Sequence, residues 1–208
     1  MTDAPPFSPA AERNREPILA TLRQVLPAHG QALEVACGTG QHAAWFAQHL
    51  PGWHWWPTDA GADLFPAVLA RTHGAGLRNV AAPSVLNLLA PEAWPLGEQC
   101  FDLVYAANLL HIAPWACAEA LMRLAAQHLA PGGCLVTYGP YLEDEVPTAE
   151  GNRQFDASLR QQNPAWGIRR REDLQAEAAR AGLALAQRHA LPANNLLLVW
   201  VRAEGAGA

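Results

Sequence analysis

The sequence predicts an α/β fold: a doubly wound seven-stranded sheet, mostly parallel and finished by an antiparallel C-terminal hairpin. The first observation is the stretch Leu33-Glu34-Val35-Ala36-Cys37-Gly38-Thr39-Gly40-Gln41-His42. An apolar run carrying one acid ends in a glycine turn, and a helical pattern comes directly after it. The second is Asp59, nineteen residues past Gly40, closing the run Trp53-His54-Trp55-Trp56-Pro57-Thr58. A doubly wound sheet keeps an acid there, at the tip of its second strand, to grip a ribose diol. The third is the link Pro192-Ala193-Asn194-Asn195 between the last two apolar runs. A parallel crossover needs a dozen or more residues, so these strands are antiparallel.

Each element has its own local signal. Ser8 before Pro9 opens a helix, a capping hydroxyl with proline at the first helical position. Pro17 interrupts the helical pattern, so two short pieces are expected, the second with Ile18, Leu22, Val25 and Leu26 on one face. Arg13, Asn14 and Arg15 are too polar for a core helix; they read as a solvent-exposed leader or as a lid over a ligand mouth. The first strand covers residues 32–36, and the helix after it sets Ala43, Phe46, Ala47 and Leu50 on one face. Trp53, Trp55 and Trp56 then read as core or sheet face. Asp63, Leu64, Pro66 and Val68 open the next helix, which runs out at His73-Gly74-Ala75-Gly76. Asn79-Val80-Ala81-Ala82 reads as a short third strand and residues 101–106 as a central buried fourth.

Pro114 starts another helix, with Cys117, Leu121, Leu124 and Ala125 inward and its end marked by Pro131-Gly132-Gly133. The fifth strand covers residues 134–138. From residue 139 to 164 the periodicity fails around a modest helix, with Thr148 as cap and Phe155 and Leu159 inward. So long an irregular stretch reads as functional cover. A helix over residues 172–181 stops at Gly182, and strands over 183–189 and 196–201 complete the seven. A chain of 208 residues suits one domain with a full core, here with an N-terminal lid segment 8–16 and an insertion 139–169 after the fifth strand.

Composition excludes several classes. Half the residues are apolar and 16% are charged, so the chain is globular rather than disordered. A net charge of −5, with no Lys and only 14 Arg, argues against a nucleic-acid surface. The one dense basic run, Arg169-Arg170-Arg171, is followed by Glu172 and Asp173 and reads as a solvated helix start. Cys37, Cys100, Cys117 and Cys134 are scattered without a C-x-x-C pair, which fits free thiols rather than disulfides or a metal site. Without a signal pattern or a long apolar run, the expectation is a cytoplasmic protein with no membrane partner. Nothing in the pattern fixes an oligomeric state.

In order and spacing these segments resemble class I S-adenosylmethionine-dependent methyltransferases over roughly residues 32 to 138. Leu33 to Gly40 resembles that family's first motif, and the resemblance implies cofactor contacts from Glu34, Ala36, Gly38 and Gly40. It implies that Asp59 holds the ribose hydroxyls, that Asn87 and Leu88 meet the adenine, and that Asn108, within Phe101 to His111, stands next to the sulfonium. Leu129-Ala130-Pro131-Gly132-Gly133 resembles the family's turn before strand five. Ser8 to Asn14, Tyr138-Gly139-Pro140, Trp166-Gly167-Ile168-Arg169 and Pro192 to Asn195 look like a short methyltransferase-like family of unassigned substrate. Two departures stand out: Ala36 replaces the usual first glycine and Asn87 the usual aspartate. Ala36 is small, and Asn87 still offers an acceptor and a donor.

The implied activity is methyl transfer from S-adenosylmethionine to a small-molecule acceptor by in-line displacement, leaving S-adenosylhomocysteine. A loop free of Lys and Arg suits a sulfonium cation and argues against a phosphate loop. Gly38-x-Gly40-x-x-Ala43 also satisfies a relaxed dinucleotide fingerprint, so a nicotinamide-dinucleotide oxidoreductase is the alternative, which the terminal hairpin disfavours. A third reading is a non-catalytic cofactor-binding partner protein. For catalysis, His111 follows the fourth strand at the carboxyl edge and is a candidate base; its other reading is a packing residue at the next helix start. Tyr138 is a candidate to direct the acceptor. Arg13, Asn14, Tyr141, Trp166, Arg169 and Asn194 are candidate substrate contacts. Of these, Tyr141 also reads as a rim residue, Arg169 suits an acceptor carboxylate, and Asn194 also reads as a turn former.

Overall fold

The computed structural model describes residues 5–203. The chain divides into two compact units, residues 1–105 and 106–208.

The first unit holds α1 (Pro9–Val25), β1 (Gly30–Val35), α2 (Gln41–His49), β2 (Trp53–Asp59), α3 (Phe65–Gly74), β3 (Ser84–Val85) and most of β4 (Phe101–Ala107). Its strand order is β3-β2-β1-β4, with β2 parallel to both β1 and β3. The last four residues of β1 are all buried, as a parallel strand covered on both faces requires. Phe46, Trp53, Trp55, Phe101 and Tyr105 are almost wholly buried, and the Phe46 ring meets Tyr105 edge-on at 5.5 Å. Burying a side chain of this kind contributes roughly 1.5–3 kcal/mol, and a well-set aromatic pair adds about 0.5–1.5 kcal/mol.

Two sequence expectations fail here for identifiable reasons. Pro17 does not split the first helix: α1 runs unbroken through it, and Thr21 Oγ1 donates back to the Pro17 carbonyl at 3.1 Å. The buried face Asn14, Ile18, Leu19, Thr21 and Leu22 spans the proline, and α1 packs on α2. That packing offsets an interior proline's cost of about 3 kcal/mol. The third strand also falls later than expected. Residues 79–82 pair with β2 as an isolated bridge at Val80, with Asn79 Nδ2 also donating to the Trp53 carbonyl at 2.9 Å, and β3 proper begins at Ser84, after Pro83. A proline has no N–H to continue the ladder.

The second unit holds the end of β4, then α4 (Trp115–His128), β5 (Leu129–Leu142), α5 (Glu150–Gln162), β6 (Arg169–Arg170), α6 (Arg171–Arg180), β7 (Leu183–Leu191) and β8 (Asn195–Arg202). β5 pairs antiparallel with β8, β8 antiparallel with β7, and β6 lies parallel to the carboxyl end of β5. Ala193 and Asn194 turn the hairpin with φ of 60° and 56°. The mostly parallel α/β sheet with an antiparallel C-terminal pair is therefore the observed fold. β5 is much longer than the expected five residues, because β8 pairs it through Pro140 and β6 extends it through Leu142. At its other end β5 begins at Leu129, so 131–133 lie inside a strand rather than ending α4, which stops at His128. The cap of α5 is Ala149, not Thr148, and Phe155 is 41% exposed while Leu159 is buried. Among the described residues no helix is long and apolar enough to cross a membrane.

Candidate active site

In the first unit the residues expected from the sequence to bind a cofactor lie at and after the carboxyl ends of β1 and β2, the edge where doubly wound sheets bind ligands. Past β1 the chain enters a left-handed turn, with φ of 59° at Ala36, 52° at Gly38 and 72° at Gly40. Gly40 is held to glycine twice over, since a Cβ there would also meet the Val68 backbone at 2.9 Å. At Gly38 a Cβ would meet nothing within 4 Å, so that face of the turn is open space.

Asp59 is bound into the same turn. Its Oδ2 accepts from the Gly38 N–H at 2.8 Å and its Oδ1 from the Ala60 N–H at 2.8 Å. Each oxygen keeps a further lone pair, and the residue is half-buried, so the carboxylate is fixed in place yet able to accept from a diol. β3 pairs beside it, with the Leu86 N–H donating to the Asp59 carbonyl at 2.7 Å. Asn87, exposed, and Leu88, buried, come directly after. Asn87 Oδ1 is taken up by the Leu89 N–H at 2.9 Å in a local turn, which leaves its amide group as the side chain's donor.

Glu34 does not present its charge to this turn. It is 2% exposed, accepts from Trp55 Nε1 at 2.6 Å, and burial pushes its pKa up to about 8. A protonated, indole-bonded acid supports the turn from beneath. Asn14 is not part of a solvent-exposed leader: it is buried, with Oδ1 2.7 Å from His42 Nε2. Arg13 remains exposed.

The residues present suit S-adenosylmethionine. The fixed charge beside the open face is a carboxylate, which suits ribose hydroxyls and a sulfonium cation, and the turn from Ala36 to Gly40 has no charged side chain of its own.

In the second unit Asn108 follows β4 with φ of 55°, and its N–H donates to the Tyr138 carbonyl at 2.8 Å. His111 is 7% exposed in a short 3-10 turn, and its ring packs beside Gly139 of β5, where a Cβ would make only ordinary contact with Nδ1 at 3.5 Å. Burial, with Arg169 second, lowers the His111 pKa to about 4, which leaves the imidazole neutral near pH 7. Tyr138, next to Gly139 on β5, is buried at 4% exposure.

Arg169 is engaged with backbone carbonyls through Nε and Nη2. Its guanidinium donates to the carbonyls of Leu110 (2.9 Å), Ala113 (2.5 Å) and Ala165 (2.7 Å), stapling the His111 loop to the segment of half-buried Trp166. Tyr141 and Asn194 do meet, as lining residues of a cleft of about 180 Å³ that also includes Glu143, Thr148, Asn152 and Arg188. Glu143 there accepts two bonds from Arg188, at 2.8 and 2.5 Å, so the charges are already matched.

A family model described as "Protein of unknown function (DUF938)" matches residues 5–202, from the segment ahead of α1 to the end of β8. The chain belongs to that family. The DUF938 chain is similar in structure to an O-methyltransferase family protein from Burkholderia thailandensis, with 19% identity, a TM-score of 0.76, and coverage of 94% of this chain and 59% of that one. It is similar to the mitomycin 7-O-methyltransferase MmcR (16% identity, TM-score 0.78, 93% and 54% covered). It also resembles the S-adenosylmethionine-dependent methyltransferase SibL in its apo form (21% identity, TM-score 0.75, 93% and 56% covered). The chain thus spans between about half and three-fifths of these proteins, and the likeness shows a Rossmann-like methyltransferase fold.

Sequence reasoning missed several residues of this DUF938 chain. His42 pairs with Asn14 and, through Nδ1 at 3.1 Å, with the Tyr105 hydroxyl, and it stacks on Phe46. Its signal was available: His42 and Phe46 are four apart on the apolar stripe of α2. Gln41 and Arg71 grip backbone far away in sequence, and no local pattern announces that.

Proposed function

We propose that this chain is an S-adenosylmethionine-dependent methyltransferase acting on a small-molecule acceptor. The observation that carries the reading is the open face at Gly38, whose N–H is locked onto Asp59. Bound there, the cofactor supplies a methyl group on a sulfonium, with its leaving group already built in. The turn at Gly38 offers a face bare of side chains, Asp59 accepts from the ribose hydroxyls, and Asn87 and Leu88 face the adenine. Because Asp59 is pre-positioned by backbone N–H groups, little ordering entropy remains to be lost on binding.

With so good a leaving group, the protein's main work is to hold and orient the acceptor. Neutral His111 accepts the acceptor's proton where one must leave, and Tyr138 orients the acceptor. Tyr141 and Asn194 contact it in their shared cleft, whose small volume suits a compact molecule.

Calorimetric titration tests the reading. S-adenosylhomocysteine should bind the wild type, and D59A should weaken it by at least about tenfold, the equivalent of one charge-assisted hydrogen bond of about 1.5–3 kcal/mol. H111A and Y138F should keep that affinity and lose turnover on any acceptor found by screening. Binding of NAD with no binding of S-adenosylhomocysteine would sink the proposal.

A further inference from the structure

The segment ahead of α1 is tied to the glycine turn by side chains that the methyl-transfer reading leaves without a role. Gln41, 5% exposed, brackets the Ser8 backbone from both sides. Its Oε1 accepts from the Ser8 N–H at 2.5 Å and its Nε2 donates to the Ser8 carbonyl at 3.3 Å. Thr39 Oγ1 donates to the same Oε1 at 3.0 Å. Arg71 reaches over from α3: Nε donates to the Thr39 carbonyl at 3.0 Å, and Nη2 donates to the carbonyls of Pro5, at 3.3 Å, and Pro6. One guanidinium and one amide therefore hold both the strap, residues 5–8, and the residues flanking Gly40.

The nature of these bonds matters. Phe7 is 58% exposed, so apolar burial does not hold the strap down. Among the described residues no strand pairs with it, and Pro5 and Pro6 have no N–H to donate. Its attachment is polar and routed through Thr39 and Gln41, whose positions are set by the conformation of the turn between Ala36 and Gly40. A ligand that fixes the turn must then favour the attached strap, and by linkage the attached strap must favour the ligand.

We infer that residues 5–8 form a strap that closes on the cofactor-binding turn, with Arg71 and Gln41 as positioning residues that retain the cofactor. This rests on the methyltransferase reading of the turn. Arg71 acts through the Thr39 carbonyl and the strap, so removing its donors should speed cofactor release without emptying the site. The forked geometry is essential: a lysine ammonium cannot hold the Thr39 carbonyl and the strap carbonyls together in one plane.

The experiment uses the full chain, wild type and R71M, with R71K as a second variant. Hydrogen exchange is followed over residues 5–12 with and without S-adenosylhomocysteine, and the dissociation rate of S-adenosylhomocysteine is measured by stopped flow. Saturating S-adenosylhomocysteine should slow exchange at Ser8 and Glu12 in the wild type. R71M should lose that added protection and release the ligand about tenfold faster, within the usual range of coupling between sites, and R71K should restore only part of it. Equal exchange with and without ligand in the wild type overturns the strap, whether or not R71M folds. So does a release rate in R71M equal to the wild type's. A flat wild-type titration with S-adenosylhomocysteine is a different failure, since it removes the methyltransferase reading and the strap together.

Discussion

Ala36 occupies a position where the backbone favours glycine, with φ at 59°. A left-handed conformation costs an L-residue roughly 1–2 kcal/mol, so A36G should stabilise the fold by about 1 kcal/mol and raise the melting temperature by about 2–4 °C. A fall in melting temperature would mean that the Ala36 methyl makes contacts worth more than the strain. Glu34 gives a pH-dependent counterpart. Its folded pKa, about 8, lies above the ordinary 4.5, so the native state keeps a proton that the unfolded chain releases. Its contribution is full below the unfolded value and is lost as pH rises through the folded one. His42 runs the other way: burial lowers its pKa to about 4, so its contribution is present above its usual pKa and is lost on acidification. E34Q keeps an acceptor for the Trp55 N–H without the titration. Urea midpoints of E34Q should therefore gain on the wild type between about pH 5 and pH 8, because the histidine effects are common to both and cancel. Parallel curves would show that Glu34 does not titrate in this window. The sequence could show Glu34 as an acid in an apolar run, but not that Trp55 would reach it from the neighbouring strand.

At the level of elements, the strand–turn–helix from β1 to α2 and the closing hairpin were legible because their signals are local: glycines, apolar periodicity and a link too short to cross over. What escaped depends on distant partners. The length of β5 is set by β8 and β6, which supply ladder partners for residues 139–142. β6 itself looked like part of a charged helix start, since a two-residue strand has no period to read. Arg169 shows the cost of reading a residue type without its surroundings. A guanidinium near an expected mouth suggested a carboxylate, and the sequence did not show that its Nε and Nη2 would also bond the carbonyls of Leu110, Ala113 and Ala165. R169K should therefore unpin the loop that carries His111, because an ammonium cannot span those carbonyls. Hydrogen bonds from a charged donor are worth about 1.5–3 kcal/mol each, and losing at least one should lower the melting temperature by about 3–12 °C. Exchange at Gly167, whose N–H bonds the His111 carbonyl at 3.0 Å, should quicken in the same variant. An unchanged melting curve with unchanged Gly167 exchange would remove the staple.

For the molecule as a whole, the division into two units falls between Tyr105 and Ala106, inside β4. Domains that unfold separately are joined by exposed, flexible linkers. Here the joint is a strand whose residues Leu103, Val104, Tyr105 and Ala106 are no more than 2% exposed. Opening one unit alone would uncover part of that strand while the rest stayed packed, a state that loses burial without releasing the whole chain's entropy. Heat should therefore melt the protein in one transition, with calorimetric and van't Hoff enthalpies equal. Ligand linkage sharpens the test, because the proposed cofactor contacts at Gly38, Asp59, Asn87 and Leu88 all belong to the first unit. S-adenosylhomocysteine at a hundred times its dissociation constant adds about 2.7 kcal/mol, so the single transition should move up by about 5–11 °C. Near-ultraviolet signals from Trp53 and Trp55 in the first unit and Trp200 in the second should shift together. Single-tryptophan reporters that separate, with only the first-unit signal following the ligand, would show that the continuity of β4 does not couple the two.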